Sequence, residues 1–119
     1  MAEMGVFMGW GAPVRGREAK GWEVFDEAME YWGRLEQEGQ IESFEVVFLY
    51  PHGGDLYGFV LLRGSGESLD AIRASDEFNR LVARAEHVVE RLGIVSAALG
   101  DSLGPQIQRY REAQGELGF

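Results

Sequence analysis

Two histidines and no cysteine narrow the chemistry this chain can do before any fold is considered. His52 sits in the run Pro51-His52-Gly53-Gly54-Asp55, with Tyr50 before it and Tyr57 after it. An imidazole moves protons well near neutral pH, and Asp55 and Tyr57 stand close enough in sequence to assist. His52 and Tyr57 are therefore candidate acid–base residues. Glu45 is a third, a carboxylate inside an apolar run where a buried charge needs a partner. Arg63 is placed to be its diagonal neighbour across a hairpin, and Ser43 and Ser96 could join them. Trp10, flanked by glycines, and Phe59 are candidate apolar contacts for a planar ligand, with Arg63 as a polar one; Trp22, Tyr31, Trp32, Phe44 and Phe48 could line the same cavity.

Each candidate has a plainer reading. Pro51, Gly53, Gly54 and Asp55 supply what a tight turn needs, and His52 then merely occupies the turn. Glu45 and Arg63 can be a structural ion pair. Trp22, Phe25 and Trp32 share a helix stripe and read first as core. His87 lies roughly opposite the apolar stripe of its helix, which argues for an exposed residue and against a haem ligand. His-Gly-Gly resembles an oxyanion loop, but no G-x-S-x-G accompanies it. Two histidines without cysteine make a zinc site improbable, no calcium-loop spacing occurs, and Arg63–Ser68 lacks the glycines of a dinucleotide loop. Neither cofactor nor metal is expected.

Composition bounds the setting. The net charge of −9 repels nucleic-acid backbones and anionic membranes, so neither is expected as a partner. The absence of cysteine fits a reducing compartment. No leader is visible in the first residues, and the longest apolar run, Val46 to Tyr50, is too short to cross a bilayer. The expectation is a cytoplasmic protein, with residues 1–119 as one domain.

The elements that must position these residues follow from periodicity. Met4–Gly11 reads as a strand. From Arg17 to Glu38, Trp22, Phe25, Ala28, Met29, Trp32 and Leu35 recur at helical spacing, and Gly39 stops the helix. Ile41–Tyr50 and Leu56–Gly64 are β-rich and flank Pro51–Asp55, which predicts a hairpin. Ser68–Arg73 reads as a short helical turn. Ser75 then caps a second long helix, whose stripe runs from Phe78 to Leu92 and ends at Gly93. Ile94–Gly100 is a last strand, and a short C-terminal helix around Pro105 turns Ile107 and Tyr110 inward. The order is βαββαβ plus a tail helix, a split βαβ topology.

Both faces of the hairpin are apolar. Phe44, Val46, Phe48, Tyr50, Leu56, Val60 and Leu62 alternate with Ile41, Val47, Leu49, Tyr57, Phe59 and Leu61. Helices cover one face in this topology, so the other would be a large wet apolar patch unless something packs on it. A homodimer pairing two sheets face to face is expected, with the Glu45 and Arg63 side turned to the partner.

Together with the runs Phe7–Gly11, Tyr31–Leu35, Ile41–Glu45 and Pro51–Gly64, this strand order resembles the dimeric α+β barrel superfamily, in particular uncharacterised bacterial proteins of that kind. The resemblance spans nearly the whole chain. It implies an α+β, ferredoxin-like fold with an antiparallel four-stranded sheet, paired into a barrel. Members include cofactor-free monooxygenases, haem enzymes, lactone isomerases and amino-acid-sensing domains, and no member's catalytic set maps onto this chain residue by residue. The expected function is a small-molecule-binding or interaction domain of unknown function. The alternative is a cofactor-independent monooxygenase- or isomerase-like enzyme acting on a small aromatic or apolar substrate.

Overall fold

The computed structural model describes residues 4–118; residues 1–3, part of the stretch read for a leader, lie outside them. The elements are β1 (Met4–Trp10), α1 (Glu18–Gln37), β2 (Ser43–Phe48), β3 (Gly58–Gly64), α2 (Gly66–Ala74), α3 (Asp76–Glu86), β4 (Gly93–Ala98) and α4 (Leu103–Leu117). A 3-10 turn, Gly100–Ser102, precedes α4. The strands form one sheet in the order β2-β3-β1-β4, antiparallel at every pairing. Each helical connection thus passes over one intervening strand, as the split βαβ pattern requires.

Alternation divides the sheet into two faces. On one, Val6 lies opposite Leu62 and Met8 opposite Val60, and all four are buried. Helix α1 adds Tyr31, Trp32 and Leu35 to this core, and α2 and α3 add Leu69, Ile72, Phe78 and Leu81. The Ser65 and Ser75 hydroxyls accept the Ser68 and Phe78 backbone N–H groups, capping α2 and α3. Two ion pairs strap α1 to α3: Arg34 with Glu77, and Arg84 with both carboxylate oxygens of Glu27. The other face carries Phe7, Val47, Phe59, Leu61 and Val95, none of them fully buried. Phe7 and Phe59 stack there at 5.0 Å between centroids.

Several expectations shift. Helix α3 stops at Glu86, not at Gly93, and Gly93 opens β4. The residues between are drawn off by a neighbouring loop: the Gly11 and Val14 N–H groups donate to the Glu90 and Val88 carbonyls at 2.7 and 2.9 Å, and Val89 bridges Pro13. Ile41 belongs to the helix-side core, because it precedes β2 and escapes that strand's alternation. Leu56 lies outside β3 for the same reason, and its side chain reaches over Gly9 on the open face. Ser96 accepts a hydrogen bond from Arg73 on the helix side, away from Glu45 and Arg63. Ile107 and Tyr110 face water, being 43% and 69% exposed.

Candidate functional site

Helix α1 meets the sheet at one end and stands off it at the other. Tyr31, Trp32 and Leu35, toward its C-terminus, are buried, whereas Trp22, Phe25, Ala28 and Met29, nearer its N-terminus, are not. The gap beneath that stretch is an apolar cavity of about 310 Å³. Its deep wall is Met8, Trp32, Val60 and Leu81, all nearly inaccessible to solvent. Toward the mouth stand Trp22, Phe48 and Tyr57, each about half exposed. The small residues Gly21 and Ala28, two turns apart on α1, both line it and leave its roof open.

Aromatic rings frame the opening. Phe48 meets Trp10 and Phe25 edge to face at 5.9 and 5.4 Å and lies nearly parallel to Trp22 at 6.1 Å. Trp10 has room because Gly58 is its partner across the sheet; a Cβ there would sit 2.8 Å from the indole. Among the described residues Glu18 is the one charged residue in the lining, and its carboxylate accepts the Gly16 N–H at 2.9 Å. All three tryptophans of the chain border this space.

The expected site residues fall in three places. Trp10 and Tyr57 line the cavity. His52 does not; it lies in the β2–β3 loop, which with Ala12, Glu90 and Arg91 forms a separate surface concavity of about 510 Å³. Leu49 and Tyr57 line both spaces and so form the wall between them. The His52 ring is engaged within its own loop. Nδ1 accepts the Gly54 N–H at 3.2 Å, which leaves the proton of the neutral ring on Nε2, 2.8 Å from the Leu56 carbonyl it donates to. Gly53 turns the chain between them with φ 82°, and Asp55 faces Arg91 at 3.7 Å. Glu45, Phe59 and Arg63 lie on the open sheet face, where Arg63 donates to Glu45 at 3.3 Å. Among the described residues no group of three or more acidic or histidine side chains is arranged to hold a metal ion.

Of the residues that build the cavity roof, Trp22 and Phe25 read first as core from their helix stripe, and Ala28 and Met29 share that stripe. A helical stripe looks the same whether it meets a packed wall or a space. The available signal was Gly21 and Ala28, small residues recurring on a stripe otherwise made of large ones.

No family model matches the chain, and no curated protein does. Solved structures do match. A protein of unknown function from Bacteroides fragilis, described as dimeric and ferredoxin-like, aligns at TM-score 0.58 and 11% identity over 81% of this chain and 96% of its own. The fold is ferredoxin-like. A second protein of unknown function, from Bacteroides thetaiotaomicron and described as a possible oxidoreductase, aligns at TM-score 0.60 and 13% identity over 83% of this chain and 100% of its own. SnoaB of Streptomyces nogalater, described as a cofactor-independent oxygenase, aligns at 0.54 and 13% over 86% of this chain and 98% of its own. At such identities the likeness is one of ferredoxin-like architecture.

Proposed function

We propose that this chain is a binding domain for a small planar, apolar molecule, held in the cavity between α1 and the sheet, and that it works as a homodimer paired through the open sheet face. The carrying observation is the cavity itself: about 310 Å³, walled by aromatic and aliphatic side chains with one carboxylate among them. Its size and makeup match ligand pockets in general. Apolar cavities of roughly 150 Å³ take a benzene ring, so this one has room for a two-ring compound. Leaving such apolar walls in water forfeits roughly 25 cal/mol per Å², which an apolar ligand would recover.

Pairing is supported by the apolar open face and by the description of one ferredoxin-like neighbour as dimeric. No described helix is long and apolar enough to cross a membrane, and the cysteine-free composition suits a cytoplasmic setting. A second reading, a cofactor-independent oxygenase, draws on the likeness to SnoaB. In it, the Tyr57 phenol and Glu18 carboxylate are the proton-handling groups at the cavity.

The test uses the tryptophans as reporters. Titration with 1-naphthol should quench their emission saturably in the wild type, with Kd between micromolar and sub-millimolar. Ala28→Phe, which fills the space under α1, should abolish the quenching and leave a cooperative thermal transition. Absence of saturable quenching in the wild type, or undiminished quenching in a folded Ala28→Phe, would count against the reading.

A further inference from the structure

Helix α4 is built as if for a surface its own protomer does not offer. Among the described residues it has no buried side chain, and its main packing is against the turn that precedes it. Leu103, Ile107, Tyr110 and Leu117 are nonetheless exposed to 49, 43, 69 and 69%. Their spacing of four, three and seven residues puts them on one apolar stripe of the helix. Gly104 and Gly115 lie within α4 and weaken it. An isolated helix of this length is marginal in water even with good helix formers, so α4 needs a surface to lie on. The whole chain carries the same mark: its radius of gyration is 16.3 Å, against about 13.5 Å for a compact chain of this length.

We infer that α4 is an arm that packs on the second copy of this chain, extending the sheet-to-sheet contact. The inference rests on the paired-sheet reading above and adds a second contact to it. Three observations favour a second copy as the occupant. The first is continuity: Leu99, immediately before the turn into α4, places its side chain over Gly5 on the open sheet face, so the arm departs from the edge of that face. The second is area. Four strands of about six residues present a face of roughly 20 by 20 Å, so pairing two such faces buries on the order of 800 Å². Stable interfaces bury about 1,600 Å². Two arms, each about 22 Å long and burying surface on both sides, supply an amount similar to the shortfall. The third is charge. Arg109 and Arg111 balance Glu112 and Glu116 within α4, so the arm approaches a chain of net charge −9 without like-charge repulsion.

Two measurements on the full-length protein test this. With a benzophenone amino acid replacing Tyr110, irradiation at micromolar concentration should give a covalent dimer whose cross-linked peptide joins α4 to the body of the other chain. Independently, the double variant Ile107→Glu, Tyr110→Glu should weaken the dimer about tenfold or more by sedimentation equilibrium, with the near-ultraviolet circular dichroism of the folded body retained. A wild-type dimer unaffected by the double substitution, with cross-links only inside one chain, would overturn the arm and leave the paired sheets standing. A monomeric wild type would overturn both.

Discussion

Tyr31 shows what the core does to one ionisable side chain. The residue is 6% exposed, and burial raises its pKa above the ordinary value of 10.0. The nearby Ser75 side chain offsets part of that, Glu77 adds to it, and Arg34 subtracts. Below the ordinary value the phenol is neutral in the folded and unfolded chains alike. Above it, the unfolded chain releases the proton while the folded chain holds it, so stability is lost as pH rises through the folded value. Tyr31→Phe removes this component. Its unfolding free energy, from urea melts between about pH 9 and about pH 11, should fall less steeply than the wild type's; an equal slope would contradict the argument.

His52 is the opposite case, an exposed ring in a loop. The turn around it was legible because glycine, proline and aspartate each have a local reason to be there. Which way the ring faces was not, since that depends on the Gly54 N–H and the Leu56 carbonyl closing around it. His52→Ala should therefore loosen the loop and leave 1-naphthol quenching unchanged. A lost or strongly weakened quenching signal would tie the loop to the cavity.

Among the elements, the junction after β1 is closely packed, backbone against backbone. A Cβ on Gly11 would stand 2.9 Å from the Asp55 carbonyl oxygen and 3.0 Å from that of Glu90. Both are backbone atoms, so neither can swing aside as a side chain would. Gly11→Ala should cost about 1–3 kcal/mol, read as a lower urea midpoint with an unchanged slope; a midpoint within error of the wild type's would refute the close approach. The same junction explains a boundary that the sequence hid. Val88 and Val89 continue the apolar stripe of α3, so periodicity carries the helix on to Gly93. Backbone pairing of Val88 and Glu90 with Gly11, Ala12 and Val14 wins instead, and no local pattern announces it. The strands themselves were plain, because alternation in Val6–Met8 and Gly58–Arg63 has the same period in sequence and in the sheet. The diagonal contact of Glu45 with Arg63 followed from the same alternation.

For the whole molecule, the two faces of the sheet have different fates. One is covered by α1, α2 and α3, except where α1 lifts away over the cavity. The other stays open, with the Phe7–Phe59 stack and the Glu45–Arg63 pair on it. The two-sided apolar character of the hairpin announced an uncovered face, but composition has no term for a gap under a helix. The cavity arises from where α1 diverges from the sheet, a tertiary property; of the assigned site residues Trp10 and Tyr57 border it, together with Trp22, Trp32 and Phe48 from the wider set of aromatics.

The most direct test of the account asks where an apolar ligand goes. A two-dimensional ¹H–¹⁵N spectrum of the labelled protein, titrated with 1-naphthol, resolves the indole N–H signals of Trp10, Trp22 and Trp32 from the backbone. The account predicts that all three indoles move saturably together with the Gly21–Met29 amides of α1, while the amides of His52, Gly53 and Gly54 stay in place. Shifts centred on the β2–β3 loop with the indoles still, or no saturable shifts anywhere, would contradict it.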